Sequence, residues 1–324
     1  MKDGKKMFVL FETVLAVLVF TLAFLMLRGS GEKNVPRISV IIRNPDDDQW
    51  SAFRYGLRMA AQDQGAELFV VSTGETMTVA EEQEAIEREI ENRADAVIVQ
   101  PVFGDDSEEM LRRAGKKVPV LLVEDTVREE GKICPFPVIK PDDASMGRAL
   151  AEELLKDFSG GLGERTIGIL METAQSVSVT DRLRGFSEAL GDQGAGIVWS
   201  VSGSRGEEGE MLLKAQPGVD FVIAMDDSSL ATAGKCASAN DLHGALVYGI
   251  AGSTEAVYYL DTGVVQCLVV PDAFSAGYQS LTAAVESAGG FQRRLLCRTV
   301  AHTVLRRENL FSEKNQEILY TMSQ

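Results

Sequence analysis

The sequence predicts an α/β protein built from two doubly wound, parallel-sheet lobes and preceded by one N-terminal transmembrane helix. Three observations lead to this prediction. Short apolar runs alternate with helical patterns, the alternation restarts halfway along the chain, and a long apolar run opens it. A length of 324 residues is enough for more than one hydrophobic core.

The opening apolar run, Met7–Leu27, predicts a membrane anchor. It has 21 residues and one charge, Glu12. As a helix it would be about 31 Å long, enough to cross the hydrocarbon core of a bilayer. The run is too long for a signal-peptide core and no A-x-A site follows it, which favours an uncleaved signal anchor. A buried core helix is disfavoured because apolar residues cover every face.

Basic residues flank the run almost evenly, so the positive-inside rule gives only weak guidance on orientation. Long domains are translocated largely regardless of charge, and a short basic N-terminus usually stays inside. We therefore expect a single-pass protein of the cell membrane with its soluble domain on the extracytoplasmic side. Residues 1–34 would form the cytoplasmic tail, the anchor and a flexible tether, Arg28–Asn34.

The soluble part contains two sets of predicted strands. The first set is Ile38–Ile42, Leu68–Val71, Ala96–Val99 and Pro119–Val123. The second includes Thr166–Leu170, Phe221–Ala224 and Val264–Val270. Nearly continuous apolar strands separated by helices are typical of parallel sheets covered on both faces. Two such lobes create a cleft where the carboxyl ends of their strands face each other, the usual place for a ligand.

Composition and motifs exclude several classes of function. The net charge of −16 and the membrane span argue against a nucleic-acid binder. His243 and His302 are far apart, and no G-x-S-x-G, phosphate-binding loop or H-E-x-x-H occurs, so we predict no enzyme and no cofactor. The D-D-D run lacks the spacing of a calcium loop, which predicts no metal site. The four cysteines form no C-x-x-C, and their disulfide state stays open.

An ordered series of segments resembles the periplasmic sugar-binding proteins of the ribose/galactose type, whose fold is shared by the effector domains of the lactose-repressor family. The segments are Q-P-V-F-G-D-D, V-P-V-L-L-V-E-D, D-R-L-R-G-F-S-E-A-L and F-V-I-A-M-D-D, and the resemblance extends from Arg37 to about Thr303. It implies a type I periplasmic binding protein, with two lobes joined by a three-strand hinge. The implied lobes are residues 35–139 plus 272–293 and residues 140–271 plus 294–304, followed by a tail helix in 305–324.

The resemblance also implies a set of ligand-binding residues. In the first loop, Asp47 occupies the polar position, and Gln49 and Trp50 occupy two aromatic positions. Of these, Trp50 keeps a flat apolar face that can pack on a sugar ring. Glu124 preserves a binding acid, whereas Asp125 stands where a base is expected. Of the neighbouring aspartates, Asp46 is expected to be solvated and Asp48 to cap the following helix.

In the second lobe, Arg182 matches a binding arginine, and Asp226 and Asp227 match a polar pair of which one reaches the ligand and the other can cap a helix. Two positions depart from the pattern, because Ala251 replaces an expected aspartate and Pro271 an expected glutamine. The ribose-type hydrogen-bond set is therefore incomplete. The many acids of the cleft suggest a cationic ligand or a sugar in a shifted position.

These features predict a membrane-anchored protein that captures a sugar-like or other polar solute for an ABC importer. The alternative is a sensor that presents its bound state to a membrane receptor such as a histidine kinase.

The tail contains apolar Leu310, Phe311, Ile318 and Leu319. They predict a short helix that packs on a lobe, and docking of a partner is the alternative.

Overall fold

The computed structural model describes residues 35–324 except 75–76, 105, 128–135, 160, 192–195, 204–205 and 291–296, together with residues 13, 15 and 17–21. Met1–Val35 and Pro36–Gln324 are separate compact units. In the first unit, residues 17–21 are helical. Most of the predicted anchor and the whole tether lie outside the described residues. Among the residues that are described, no helix combines the length and apolarity needed to span a membrane.

Strands and helices alternate along the second unit. In its described part the strands are β1 Arg37–Ile41, β2 Glu67–Val71, β3 Ala96–Val99, β4 Val120–Val123, β5 Val138–Pro141, β6 Thr166–Met171, β7 Gly196–Ser202, β8 Phe221–Ala224, β9 Leu246–Ile250, β10 Val265–Pro271, β11 Arg298–Val300 and β12 His302–Leu305. The helices are α1 Ser51–Gln64, α2 Val79–Glu91, α3 Ser107–Ala114, α4 Asp143–Asp157, α5 Val177–Leu190, α6 Gly206–Lys214, α7 Asp227–Ser238, α8 Thr254–Asp261, α9 Ala273–Ala288 and α10 Gln316–Met322.

Two sheets form two lobes, as the apolar runs predict. The described strands of the first sheet are ordered β11-β5-β4-β3-β1-β2 and all pair in parallel. Those of the second are ordered β12-β10-β9-β8-β6-β7, with β12 antiparallel to β10. Each sheet is sandwiched between two apolar clusters, so its central strands are buried on both faces, whereas the edge strands β2 and β7 are largely exposed.

The chain passes between the lobes three times. It leaves the first sheet after β5 and returns to the first lobe between β10 and α9. It crosses again at Ala301, between β11 of the first sheet and β12 of the second. The implied boundary had assigned all of 294–304 to the second lobe, whereas Arg298–Val300 pairs with β5 of the first sheet.

Reciprocal glycines bring two helices of each lobe into close contact. A Cβ atom on Gly56 of α1 would lie 2.1 Å from Phe274 O, and one on Gly277 of α9 would lie 2.1 Å from Phe53 O. In the second lobe, a Cβ atom on Gly147 of α4 would lie 1.8 Å from Arg182 O on α5. Only glycine permits this approach, which fixes the backbone that carries Arg182.

The C-terminal segment packs on the second lobe, as its apolar residues predict. Leu310 is fully buried in that lobe's core, and Ile318 and Leu319 pack against the same cluster. Phe311, in contrast, is 67% exposed.

Three cysteines are unpaired, with Cys236 and Cys267 buried and Cys297 exposed. Cys134 lies outside the described residues.

Candidate ligand-binding site

A cavity of about 110 Å³ lies between the lobes, where the carboxyl ends of the two sheets face each other. Its wall contains residues that stand one or two positions beyond a strand. They are Arg43 after β1, Gln100 after β3, Glu124 after β4, Glu172 after β6, Asp226 after β8 and Ala251 after β9. The location agrees with the cleft predicted from the two parallel sheets.

Glu124 is the main acidic group of the first-lobe wall. Its backbone adopts the left-handed conformation at φ 63°, a strained geometry for a residue other than glycine. Gln100 Nε2 donates a hydrogen bond to Glu124 Oε2 at 2.7 Å, while Gln100 Oε1 accepts one from Arg43 N at 3.0 Å. Burial raises the pKa of Glu124 to about 7, against the opposing charges of Arg182 and Arg43. This carboxyl can therefore change its protonation state near neutral pH.

Arg182 lies in the second-lobe wall with most of its guanidinium already bonded. Its Nε donates to Asp143 Oδ1 at 2.8 Å and its Nη1 donates to Met225 O at 2.9 Å. Burial opposes its charge, but Asp143 and Glu124 raise the pKa of Arg182 above its ordinary value. It thus stays cationic, and its Nη2 has no acceptor among the described residues. That nitrogen is the guanidinium donor that these bonds leave unoccupied, and the ligand-binding role of Arg182 stays a prediction.

Asp125 joins the lobes instead of presenting an unengaged carboxylate to the cavity. Its Oδ2 accepts a hydrogen bond from Ser176 Oγ. Its Oδ1 accepts from Thr126 N at 2.7 Å and from Ser178 N at 3.2 Å. Ser176 also caps α5 by accepting from Val179 N at 3.0 Å. Asp125 therefore connects the end of β4 to the start of the helix that carries Arg182.

Asp226 and Asp227 line the cavity, but both carboxylates accept hydrogen bonds from backbone N–H groups. Asp226 caps α7 by accepting from Ser229 N at 2.8 Å, and it also accepts from Glu172 N at 2.7 Å. Asp227 accepts from Gly252 N at 2.9 Å and from Ser253 N at 2.9 Å. Burial raises both pKa values, that of Asp227 to about 6, although these bonds oppose the effect. Their direct ligand-binding role stays a prediction.

The three aspartates of the first loop have different surroundings. Asp46 is exposed and pairs with Arg54 at 3.3 Å. Asp47 caps the short 3₁₀ helix Asp48–Trp50 and lies at a separate recess outside the main cavity. Asp48 Oδ2 accepts a hydrogen bond from Thr254 Oγ1 of the second lobe at 2.7 Å. The sequence predicts Asp48 as the helix cap, but the capping residue is Asp47, whose side chain accepts from Gln49 N.

Trp50 belongs both to the core of the first lobe and to the cavity wall. Its ring packs edge-on against Phe53 at 5.4 Å between centroids, and its Nε1 donates to Arg43 O at 3.0 Å. The ring is 6% exposed and lines the cavity next to Gln49. Its polar atom is thus occupied, and the part that faces the cavity offers an apolar surface.

Five residues of the site were not predicted from the sequence, namely Arg43, Gln100, Glu172, Ser176 and Ser178. The first three could have been predicted from the sequence. Each is a polar residue that follows a parallel strand by one or two positions, and such residues lie at the carboxyl edge of the sheet, where ligands bind. Arg43 Nη1 and Glu172 Oε1 are 3.8 Å apart and connect the lobes. The two serines, on the second lobe, bond to the first lobe: Ser176 Oγ donates to Asp125 Oδ2, and Ser178 Oγ donates to Glu124 O at 2.7 Å.

A family comparison identifies the architecture. The family model described as "Periplasmic binding protein domain" matches residues 38–291. The chain belongs to the periplasmic binding protein family. Proteins of this family bind solutes and are not enzymes, in agreement with the sequence prediction. A comparison with curated proteins found no match.

Solved periplasmic binding proteins share this fold. A carbohydrate-transporter solute-binding protein from Agrobacterium radiobacter, in complex with D-arabinose, is 19% identical with a TM-score of 0.76, covering 89% of this chain and 99% of its own. GanP, a glucose-galactose binding protein from Geobacillus stearothermophilus, is 18% identical with a TM-score of 0.73, covering 86% and 100%. The XylFII–LytSN complex contains a match at 15% identity with a TM-score of 0.70, covering 85% and 98%. At these identities the likeness establishes the fold.

Proposed function

We propose that this protein is a membrane-anchored, extracytoplasmic solute-binding protein that captures a small sugar-like solute for an ABC importer. The cavity between the carboxyl ends of the two sheets carries this proposal. It combines an apolar ring surface at Trp50, a buried carboxyl at Glu124 and an unbonded guanidinium nitrogen on Arg182. An aromatic face with a few fixed polar groups suits a polyhydroxylated ring.

The structure weakens the case for a cationic ligand. Asp125, Asp226 and Asp227 already accept hydrogen bonds from protein donors, and Asp47 lies at a different recess. Arg182 contributes a fixed positive charge to the same wall. The cavity therefore has few unengaged carboxylate oxygens with which to bind a cation directly.

A thermal-shift screen of monosaccharides, amino acids and polyamines tests the proposed ligand class. A sugar present at 100 times its Kd should add about 2.7 kcal/mol of stability. Arg182→Gln should abolish that shift. Arg184→Gln should retain it, because Arg184 lies on the exposed face of α5 and pairs with Asp181 and Glu188. Stabilisation by polyamines alone would contradict the proposal.

A ligand sensor is the second candidate function. XylFII, which shares this fold, occurs in a complex with LytSN, and a membrane-tethered binding protein could present its closed state to a receptor in a similar way. Affinity purification of the full chain from detergent-solubilised membranes distinguishes the two candidates. Recovery of a permease and its ATPase supports the importer, whereas recovery of a histidine kinase supports the sensor.

Membrane topology is tested separately on whole cells. External protease should degrade the domain formed by 36–324, because we propose that this domain faces outward. A domain that is protected until the cells are lysed would contradict that orientation.

A further inference from the structure

The C-terminal segment, residues 306–324, is anchored in the second lobe. Arg306 Nε donates to Glu153 Oε2 at 2.6 Å and Arg306 Nη1 donates to Asp157 Oδ1 at 2.9 Å, which fixes the start of the segment to α4. Leu310 is fully buried and Met322 is 3% exposed, and both belong to an apolar cluster of the second lobe. Any rotation of the second lobe therefore carries this segment with it.

The outer face of α10 reaches across to the first lobe. The ring of Tyr320, which is 56% exposed, packs edge-on against the ring of Tyr55 on α1, with 6.2 Å between the centroids. One turn further along α1, Arg58 Nη2 donates a hydrogen bond to Gln324 O at 3.3 Å. None of these four residues lines the cavity. The C-terminal segment thus joins the two lobes at a place outside the ligand-binding site.

These contacts lie beside the point where the chain returns to the first lobe. Phe274, in the first turn of α9, has its ring 5.5 Å from that of Tyr55, and it also packs against the second-lobe cluster. Ala52, one turn before Tyr55 on α1, belongs to the same cluster. A rotation of the lobes about this crossing therefore changes the position of α1 relative to α10.

We infer that the C-terminal segment is a strap that restrains separation of the two lobes. Rotation of α1 away from α10 must break the contacts of Tyr320 with Tyr55 and of Gln324 with Arg58. An aromatic pair and a hydrogen bond that exist only in the closed arrangement shift the equilibrium toward it. The strap belongs to the protein alone, so its effect depends neither on the class of ligand nor on the partner in the proposed function.

Hydrogen exchange of the full chain in detergent, with no ligand added, tests the strap. The amide of Ser178 reports lobe separation, because its N–H donates to Asp125 Oδ1 of the first lobe at 3.2 Å. When reclosing is faster than exchange, the exchange rate is proportional to the open population. Tyr320→Ala should raise the exchange rate of Ser178 by about threefold or more. Phe311→Ala, which removes a more exposed aromatic ring of the same segment, should keep the parent rate.

Two amides bonded within a single lobe separate lobe opening from general loss of stability. Val97 N donates to Pro119 O in the first lobe at 2.9 Å, and Met225 N donates to Leu170 O in the second at 3.0 Å. Both should keep the parent exchange rate in Tyr320→Ala. An unchanged rate at Ser178, or an equal increase at all three amides, would overturn the strap. The sugar thermal-shift screen is a separate measurement, so the strap and the proposed function can fail independently.

Discussion

Glu82→Gln should flatten the pH dependence of the free energy of unfolding. Glu82 is fully buried on α2, under the loop that leads from Gln100 into the cavity wall. Its Oε1 accepts from Val102 N at 3.1 Å, and its Oε2 has no partner among the described residues. Burial raises the pKa of Glu82 to about 8, despite the Val102 hydrogen bond and the charge of Arg43.

The raised pKa fixes the sign and size of the effect. In the unfolded chain the carboxyl titrates near 4.5, so the folded protein keeps its proton to a higher pH than the unfolded chain does. The associated stability is fully present below about pH 4.5 and is lost as the pH rises to about 8. Each pKa unit corresponds to about 1.4 kcal/mol, so the rise from 4.5 to about 8 stabilises the folded protein at low pH by about 5 kcal/mol in total. About 3 kcal/mol of this stabilisation is lost between about pH 5 and about pH 8.

Urea unfolding at these two pH values measures the effect directly. The parent should lose about 3 kcal/mol more than Glu82→Gln between them. Glu84→Gln is the matched control on the same helix, because Glu84 is exposed and pairs with Arg88 at the surface. Equal losses in the parent and in Glu82→Gln would show that the buried carboxyl does not titrate in this range.

Three further predictions concern the cleft and the tail. Trp50→Ala should weaken ligand binding by about tenfold or more in calorimetry, because it removes the ring surface, whereas Asp46→Ala should leave the affinity unchanged; equal effects would contradict this role. Thr254→Val removes a 2.7 Å hydrogen bond between the lobes and should increase the radius of gyration of the unliganded protein in X-ray scattering, while an unchanged radius would show that this bond does not hold the lobes together. Leu310→Ala should reduce the free energy of unfolding by about 2–5 kcal/mol, because Leu310 is fully buried. Phe311→Ala is the control and should change it by less than about 0.5 kcal/mol, because Phe311 is exposed. A small effect of Leu310→Ala would show that the tail does not contribute to the stability of the core.

Local sequence patterns were sufficient to predict the two sheets. The run A-V-I-V predicts a strand with the same limits as β3, and F-V-I-A does so for β8. A strand buried on both faces must be apolar throughout, and this requirement is visible in five or six consecutive residues. The cleft follows from the same pattern, because parallel strands place their carboxyl ends at one edge.

The hydrogen-bond partners of the polar residues could not be predicted from local patterns. Asp47 and Asp48 are adjacent and chemically identical, yet one caps a helix and the other meets Thr254, which is 206 positions away. Asp125 was predicted to bind the ligand, and it does line the cavity, but local patterns did not predict that its carboxylate accepts from Ser176 and Ser178. A carboxylate's role depends on which donors the tertiary fold brings near it.

By itself, the sequence determined the α/β class, the two lobes, the edge at which they form a cavity and the position of Arg182 in its wall. These features depend on hydrophobic periodicity and on short motifs, which are local. Only the tertiary structure decided which acids are already bonded and that Ala251 and Pro271 line the same cavity. The cavity joins residues more than 200 positions apart, and their contacts exist only after both lobes have folded.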